Sequence, residues 1–202
     1  MALVDSLVKE RWLKTPLFIE AFKQIKRKDF MPKDVEVLHE INEAMSIGYG
    51  QTISQPMVVA FMIEKLEPKP GDKILDIGSG SGWTSALLSY IAGEKGKVFA
   101  IEIIPELKEF GEKNAAKYDF IKKGITEFIL GDGGQGYEKE APFDRILASA
   151  AAEKIPEAWK KQLKIGGRIV APVKEAIVVL EKTSENQFKE EIYPGFVFVP
   201  LV

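Results

Sequence analysis

Residues 73–83 read KILDIGSGSGW, an apolar run that enters a turn with glycines at positions 78, 80 and 82. The dinucleotide fingerprint G-x-G-x-x-G needs its last glycine one position later, where Trp83 stands. Without Cβ, Gly78, Gly80 and Gly82 let a ligand lie against the backbone and make positive φ accessible. A helix expected over 81–92 would aim its N-terminal amides and positive dipole end at that ligand. The triplet alone also fits a tight turn with no ligand. Two further acids sharpen the reading. Glu102 closes the apolar run KVFAIE about 20 residues downstream, where a carboxylate accepts the hydroxyls of a ribose. Asp132 follows an expected strand over 127–130 in the sequence GDG, placed to accept an exocyclic amine, with Gly131 and Gly133 leaving room for a ring. Each acid alone reads as a solvated strand end. Three successive strand ends carrying suitable groups point to an adenosine-containing cofactor, because ligands of open α/β sheets lie beyond the carboxyl ends of the strands.

These groups need a scaffold, and the chain's periodicity supplies one. Leu3, Val4, Leu7, Val8 and Trp12 recur at helical spacing. Thr15 and Pro16 read as an N-cap and a proline at the first helical position, opening a helix with Phe18, Ile19, Phe22 and Ile25 inward. Residues 34–55 read as loop. A helix is expected over 57–66, with Thr52 and Ser54 as candidate caps, and a further helix opens at Pro105. Strands are expected at Phe143–Ala148 and 168–173, separated by a helix around 156–163. The chain then turns β-rich at 176–182 and 196–201, two runs joined by a polar, hairpin-like stretch. Alternating βα units with terminal strands predict a Rossmann-like α/β fold: a mostly parallel sheet, an antiparallel C-terminal edge and helices on both faces.

Composition bounds the chemistry. A chain of 202 residues is expected to form one domain, with 1–70 capping the cleft and 71–202 building the cofactor-binding sheet. Cysteine is absent, which rules out thiolate catalysis, and the single His39 cannot build a His-rich metal site. A net charge of −2 gives no broad attraction for nucleic acid or anionic membrane, and the cluster Lys26-Arg27-Lys28 reads as a solvated helix end. No apolar stretch approaches the ~18 residues of a membrane span, and charges at Asp5, Lys9, Glu10 and Arg11 do not suit a signal peptide. The expectation is a cytoplasmic, soluble chain without metal, with a monomer favoured.

The glycine loop with Asp76 before it resembles the cofactor loop of S-adenosylmethionine-dependent methyltransferases. Acceptors narrow from there. Cytosine C5 methylation needs a cysteine. The place of an amine-methylation motif after the fourth strand holds Ala148-Ser149-Ala150-Ala151-Ala152, and no carboxylate cluster for metal-assisted O-methylation stands there. A carboxylate acceptor needs no base, since with a pKa of about 4 it is already a nucleophile at neutral pH.

Residues 47–56, IGYGQTISQP, together with AFKQIKRKDFMP, LDIGSGSGW, GDGGQGY, APFDRILASAAAEKIPEAWKKQLKIGGRIVAPV and FVFVPLV in that order, resemble the protein-L-isoaspartate O-methyltransferase family. That resemblance implies S-adenosylmethionine as cofactor, S-adenosylhomocysteine as product and isoaspartyl residues of damaged proteins as acceptors. It makes Ser54 the active-site serine. It also places Gln51, Thr52 and Ile53 along the cleft, with Asp76, Gly78, Ser79, Gly80, Gly82, Glu102, Asp132 and Gly133 around the cofactor. Two readings stand beside it: a related methyltransferase acting on RNA or a small metabolite, and a module that binds cofactor without turnover. One departure from the family pattern is structural. Pro172-Val173 runs through Lys174-Glu175 into the next strand where members carry a glycine-containing loop.

Overall fold

In the computed structural model, which describes residues 2–201, a seven-stranded sheet is flanked by helices. The chain opens with α1 (Ala2–Lys9) and α2 (Pro16–Gln24). A short hairpin of β1 (Met45–Gly48) and β2 (Gln51–Ile53) leads into α3 (Pro56–Leu66). The βα units follow as β3 (Lys73–Ile77), α4 (Trp83–Ala92), β4 (Lys97–Glu102), α5 (Pro105–Ala116) and β5 (Thr126–Leu130). Then come β6 (Phe143–Ala148), α6 (Glu157–Gln162), β7 (Leu163–Val173), β8 (Ala176–Ser184) and β9 (Gln187–Pro194).

The sheet order is β5-β4-β3-β6-β7-β8-β9, parallel through β7 and antiparallel for β8 and β9. This is the expected mostly parallel sheet with an antiparallel edge. The central strand β3 is buried on both faces, as a strand flanked by helices must be. One apolar cluster runs from Val4 and Leu7 of α1, through Phe18 and Phe22 of α2 and Ile63 of α3, to Val170, Ile177 and Val179 of the sheet. The N-terminal helices therefore share a core with the sheet that carries the glycine loop.

Five local expectations change, the first being that β7 begins at Leu163 rather than 168 and so ends the helix before it one residue early. Residues 45–53 form the hairpin rather than loop, turning through Tyr49 and Gly50, both at positive φ (54° and 71°). That geometry matches the two-residue turns that suit the twist of paired strands. Helix α4 begins at Trp83, two residues later than expected, because Gly82 at φ 82° acts as its N-cap in a left-handed conformation. The polar stretch 187–194 is itself the edge strand, and its mostly exposed residues fit a sheet margin. The apolar run 196–201 is no strand. Gly195, at φ 92°, turns it away, and Val199 and Leu201 make backbone hydrogen bonds to Ala151 at 2.8 Å each. It forms a strap across the carboxyl ends of the strands.

Candidate functional site

At the carboxyl ends of β3, β4 and β6 the backbone opens into a cavity of about 400 Å³, within the range of small-molecule sites. Strand β3 has β4 on one side and β6 on the other, so the cavity lies where the order of strands reverses. Its walls come from Gln51 to Gln55, the glycine loop, Glu102 to Ile104, Ser149-Ala150 and the strap residues 197–201. Among the described residues, Glu102 is the only acid or base on these walls.

The glycine loop owes its shape to backbone that only glycine adopts readily: Gly78 and Gly80 hold φ of 72° and 48°. Both line the cavity with Ser79. Gly82 does not. A Cβ there would stand 2.6 Å from the carbonyl oxygen of Gly111, so this glycine is required by the close approach of α4 to α5. Gly133 lines the cavity, yet a Cβ on it would collide with Ile77, and the space its missing side chain leaves is filled by that residue.

Glu102 is buried and anchors the loop. Its Oε2 accepts from Gly80 N at 2.8 Å, and Oε1 accepts from Ile103 N (2.9 Å) and Ile104 N (3.0 Å). The carboxylate is thereby fixed in orientation on the cavity wall, with lone pairs remaining for hydroxyl donors. Asp132 is exposed and off the cavity wall. Its Oδ1 caps a short turn by accepting from Gly134 N at 2.7 Å, while Gly131 and Gly133 beside it face the cavity.

Asp76 lies fully buried behind the glycine loop. Its Oδ2 accepts from Ser85 Oγ at 2.6 Å and its Oδ1 has no partner. Burial pushes its carboxyl up to about 7; the Ser85 hydroxyl opposes this and the Glu102 charge adds to it. The folded chain therefore retains a proton that the unfolded chain releases near its ordinary value of 3.8, so this contribution to stability is lost as pH rises through about 7. We expect the melting temperature of the wild type, relative to Asp76→Asn, to fall between pH 5 and pH 8. Parallel melting curves for the two proteins across that range would refute the shift.

Ser54 is half-buried on the wall, and its hydroxyl has no hydrogen-bond partner among the described residues. Neither it nor Thr52 caps α3. The N-cap is Gln55, without a side-chain bond, and Met57 N instead donates to Asn42 Oδ1 at 2.9 Å. Thr15 does not cap α2 with its side chain either: its hydroxyl donates to Glu64 Oε2 at 2.8 Å.

The buried side-chain polar atoms without partners among the described residues are Ser79 Oγ, Trp83 Nε1, Asp76 Oδ1 and Arg27 Nε. Ser79 and Trp83 line the cavity, Asp76 lies behind its loop, and the Arg27 guanidinium lies 5.6 Å from the Trp83 ring centre. Unpaired buried donors and acceptors are costly, and their concentration here is what a polar ligand's site requires. An adenosine-bearing cofactor fits these walls: a fixed carboxylate, open glycine backbone, the first turn of α4 and apolar Ile101, Ile103 and Phe198. Among the described residues no group of three or more His, Cys, Asp or Glu side chains is placed to hold a metal ion, and no helix is long and apolar enough to cross a membrane.

Two residues escaped the sequence reading. Arg27, expected to be solvated, is only 5% exposed. Trp83, noted only for not being glycine, forms part of the wall and packs edge-to-face on Phe22 with centroids 5.7 Å apart.

Comparison with known proteins adds an independent line. A model of the family described as protein-L-isoaspartate(D-aspartate) O-methyltransferase matches residues 1–202. A protein-L-isoaspartate O-methyltransferase of Methanopyrus kandleri is 36% identical over 204 residues, covering 99% of this chain and 89% of that protein. Protein-L-isoaspartate O-methyltransferase 2 of Archaeoglobus fulgidus is 40% identical over 187 residues, covering 90% and 83%. Among solved structures, one described as a protein-L-isoaspartate O-methyltransferase from Plasmodium falciparum in complex with S-adenosyl-L-homocysteine superposes with a TM-score of 0.89. At 22% identity over 99% of this chain and 96% of that one, it establishes a shared fold.

Proposed function

The chain belongs to the protein-L-isoaspartate(D-aspartate) O-methyltransferase family, and from that premise we infer that it transfers a methyl group from S-adenosylmethionine to the free carboxylate of L-isoaspartyl residues in damaged proteins. The observation that carries this reading for the site is that the segment Gln51 to Ser54 and the glycine loop line the same cavity. A methyl donor and an acceptor held on those two segments would meet within one enclosure.

When bound, the cofactor supplies a methyl group on a sulfonium centre. The chain's own task is then positional. The acceptor carboxylate is anionic at neutral pH, so no base has to remove a proton. The walls agree with that requirement: among the described residues their only acid or base is Glu102, whose oxygens already accept three backbone N–H groups. Its carboxylate is assigned to the ribose hydroxyls, and the free Ser54 hydroxyl to the acceptor carboxylate. Gln51, Thr52 and Ile53 line the passage between them. Gly78, Ser79 and Gly80 approach the cofactor directly, and the two other glycines support it indirectly, Gly82 by bringing α4 close and Gly133 by shaping the wall with Ile77. Asp76 sets the loop from behind, and Asp132 is left for the adenine amine through its exposed edge. The strap 197–201 completes the cavity wall.

The remaining assignments rest on composition and on the shared core. We read residues 1–202 as one methyltransferase domain. A net charge of −2 and a pI near 5.7 favour a protein acceptor over nucleic acid, and we read the chain as a cytoplasmic monomer.

Labelled methyl transfer to paired peptides, identical except for Asp or L-isoaspartate at one position, tests the activity. The isoaspartyl peptide is expected to be methylated, the Asp peptide poorly, and the ester to be labile to base. Equal rates on the two peptides, or a base-stable product, would overturn the assignment.

A further inference from the structure

Arg27 is a buried cation without an anion. Among the described residues no carboxylate lies within ion-pair distance of it. Burial alone lowers its guanidinium to about 10, so the charge persists at neutral pH. Its donors go to backbone carbonyls: Nη1 to Ile41 O at 2.9 Å, Nη2 to Glu43 O at 2.6 Å and to Ser54 O at 3.3 Å. Between the first two carbonyls lies Asn42. Its carbonyl accepts from Gln55 Nε2 at 2.9 Å, and its side-chain oxygen accepts from Met57 N at 2.9 Å.

These bonds converge on one residue. Ser54 is held directly through its own carbonyl, and its neighbours at 55 and 57 are held through a segment that Arg27 grips on both sides. These bonds hold the chain after the Ser54 Cα, and the pairing of Ile53 with Met45 in the hairpin holds the residue before it, which together fix the direction of the Cα–Cβ bond and with it the arc its hydroxyl can reach. The base of Arg27 is itself pinned. It opens a single 3-10 turn, Arg27–Phe30, whose Asp29 carboxylate accepts from the Tyr118 hydroxyl at 2.6 Å, with Phe30 stacked on the Tyr118 ring. The guanidinium also lies against Trp83, which forms part of the cavity wall.

We propose that Arg27 is the positioning residue of the acceptor site, acting through Ser54 by clamping the backbone of residues 41–43 and 54 in one plane of donors. This rests on the function proposed above. Lysine cannot substitute, because an ammonium offers donors from a single point on a flexible stem, whereas the guanidinium spreads them across a rigid plane.

The test is a double-mutant cycle on kcat/KM for the isoaspartyl peptide, with S-adenosylhomocysteine affinity and melting temperature measured on each protein. Arg27→Lys is expected to lower kcat/KM about 10-fold and Ser54→Ala about 100-fold, since misplacement by about 1 Å costs on that order. The double variant should lose about 100-fold, short of the roughly 1000-fold that independent losses would give. Cofactor affinity should stay within about 2-fold throughout, an outcome that a general loosening of the fold would not produce. Arg27→Gln removes the buried charge altogether and gives the same readout should the lysine variant fail to fold. Losses that multiply, full activity in Arg27→Lys, or a loss matched by weaker cofactor binding would each overturn the proposal. A wild type inert on the isoaspartyl peptide sinks the functional reading and this one together. An active wild type whose two losses multiply sinks only the role of Arg27.

Discussion

Glu102→Gln is expected to weaken S-adenosylhomocysteine binding by about 10- to 100-fold. The exchange is nearly isosteric, so the loss isolates charge and hydrogen bonding from shape. In the wild type both carboxylate oxygens accept backbone N–H groups, Oε2 from Gly80 and Oε1 from Ile103 and Ile104. An amide can keep one of those faces. The other then presents NH2 to a backbone N–H, donor against donor, and pushes the chain away. If the amide oxygen keeps Ile103 and Ile104, the Gly80 contact fails and the glycine loop loses its anchor. If it keeps Gly80, the start of the β4–α5 connection is displaced. Either way the acceptor proposed for the ribose hydroxyls is weakened, because a charge-assisted bond is worth about 1.5–3 kcal/mol and a neutral one about half that. Calorimetric titration measures the affinity, and a melting curve of the unliganded variant separates loss of the site from loss of the fold. Unchanged affinity in a folded variant would remove Glu102 from the cofactor site.

Much of this arrangement was legible because the strongest local signals fall on the elements that carry it. Strands Lys97–Glu102 and Phe143–Ala148 and the helix opening at Pro105 have the bounds their residues suggest. An apolar run ended by a charge, or a proline at the first helical turn, is decided within a few residues. The hairpin was hidden because its strands are only 4 and 3 residues long and its glycines read equally well as loop. The terminal runs misled for a different reason. Strand propensity measures fit to a half-buried surface, and the wall of a cavity is such a surface, so the run 196–201 looks like a strand while its residues from Val197 onward line the cavity. The true edge strand, exposed at most positions, carries Phe188, Ile192 and Tyr193 among charges with no regular alternation to mark it.

Arg27, Gly82 and Gly133 show where a sequence runs out. In the run Lys26-Arg27-Lys28 nothing local says which member turns inward. The carbonyls that receive Arg27 lie 14, 16 and 27 residues away. Gly82 reads as a ligand-approach glycine, yet its constraint comes from Gly111 on the next helix, and that of Gly133 from Ile77 on another strand. A motif reports that a side chain is unwelcome; only the packed structure reports what is in the way.

Ser54→Ala is expected to lower the rate of methyl transfer on the order of 100-fold while cofactor affinity and melting temperature change little. A capping hydroxyl would behave differently, because losing a cap costs about 1 kcal/mol of stability and leaves the chemistry intact. The structure removes that alternative. The first turn of α3 is capped from outside by Asn42 Oδ1, and the Ser54 hydroxyl bonds to nothing among the described residues. A polar group that neither caps nor bridges, half-buried on a cavity wall, is a donor held in reserve for a ligand. The acceptor carboxylate arrives with two oxygens, and attack on the methyl group uses only one of them. A hydrogen bond to the other would set the line of attack without removing charge from the attacking lone pair as strongly as an ion pair would. Alanine leaves the carboxylate free to swing, and misalignment of about 1 Å accounts for the expected loss. Ser54→Thr sharpens the test, since it keeps the hydroxyl but fixes its rotamer more stiffly; partial activity there and near-complete loss in alanine would identify the hydroxyl as the group that matters. Full specific activity in Ser54→Ala would leave the acceptor to be held by the backbone of residues 51–54 alone.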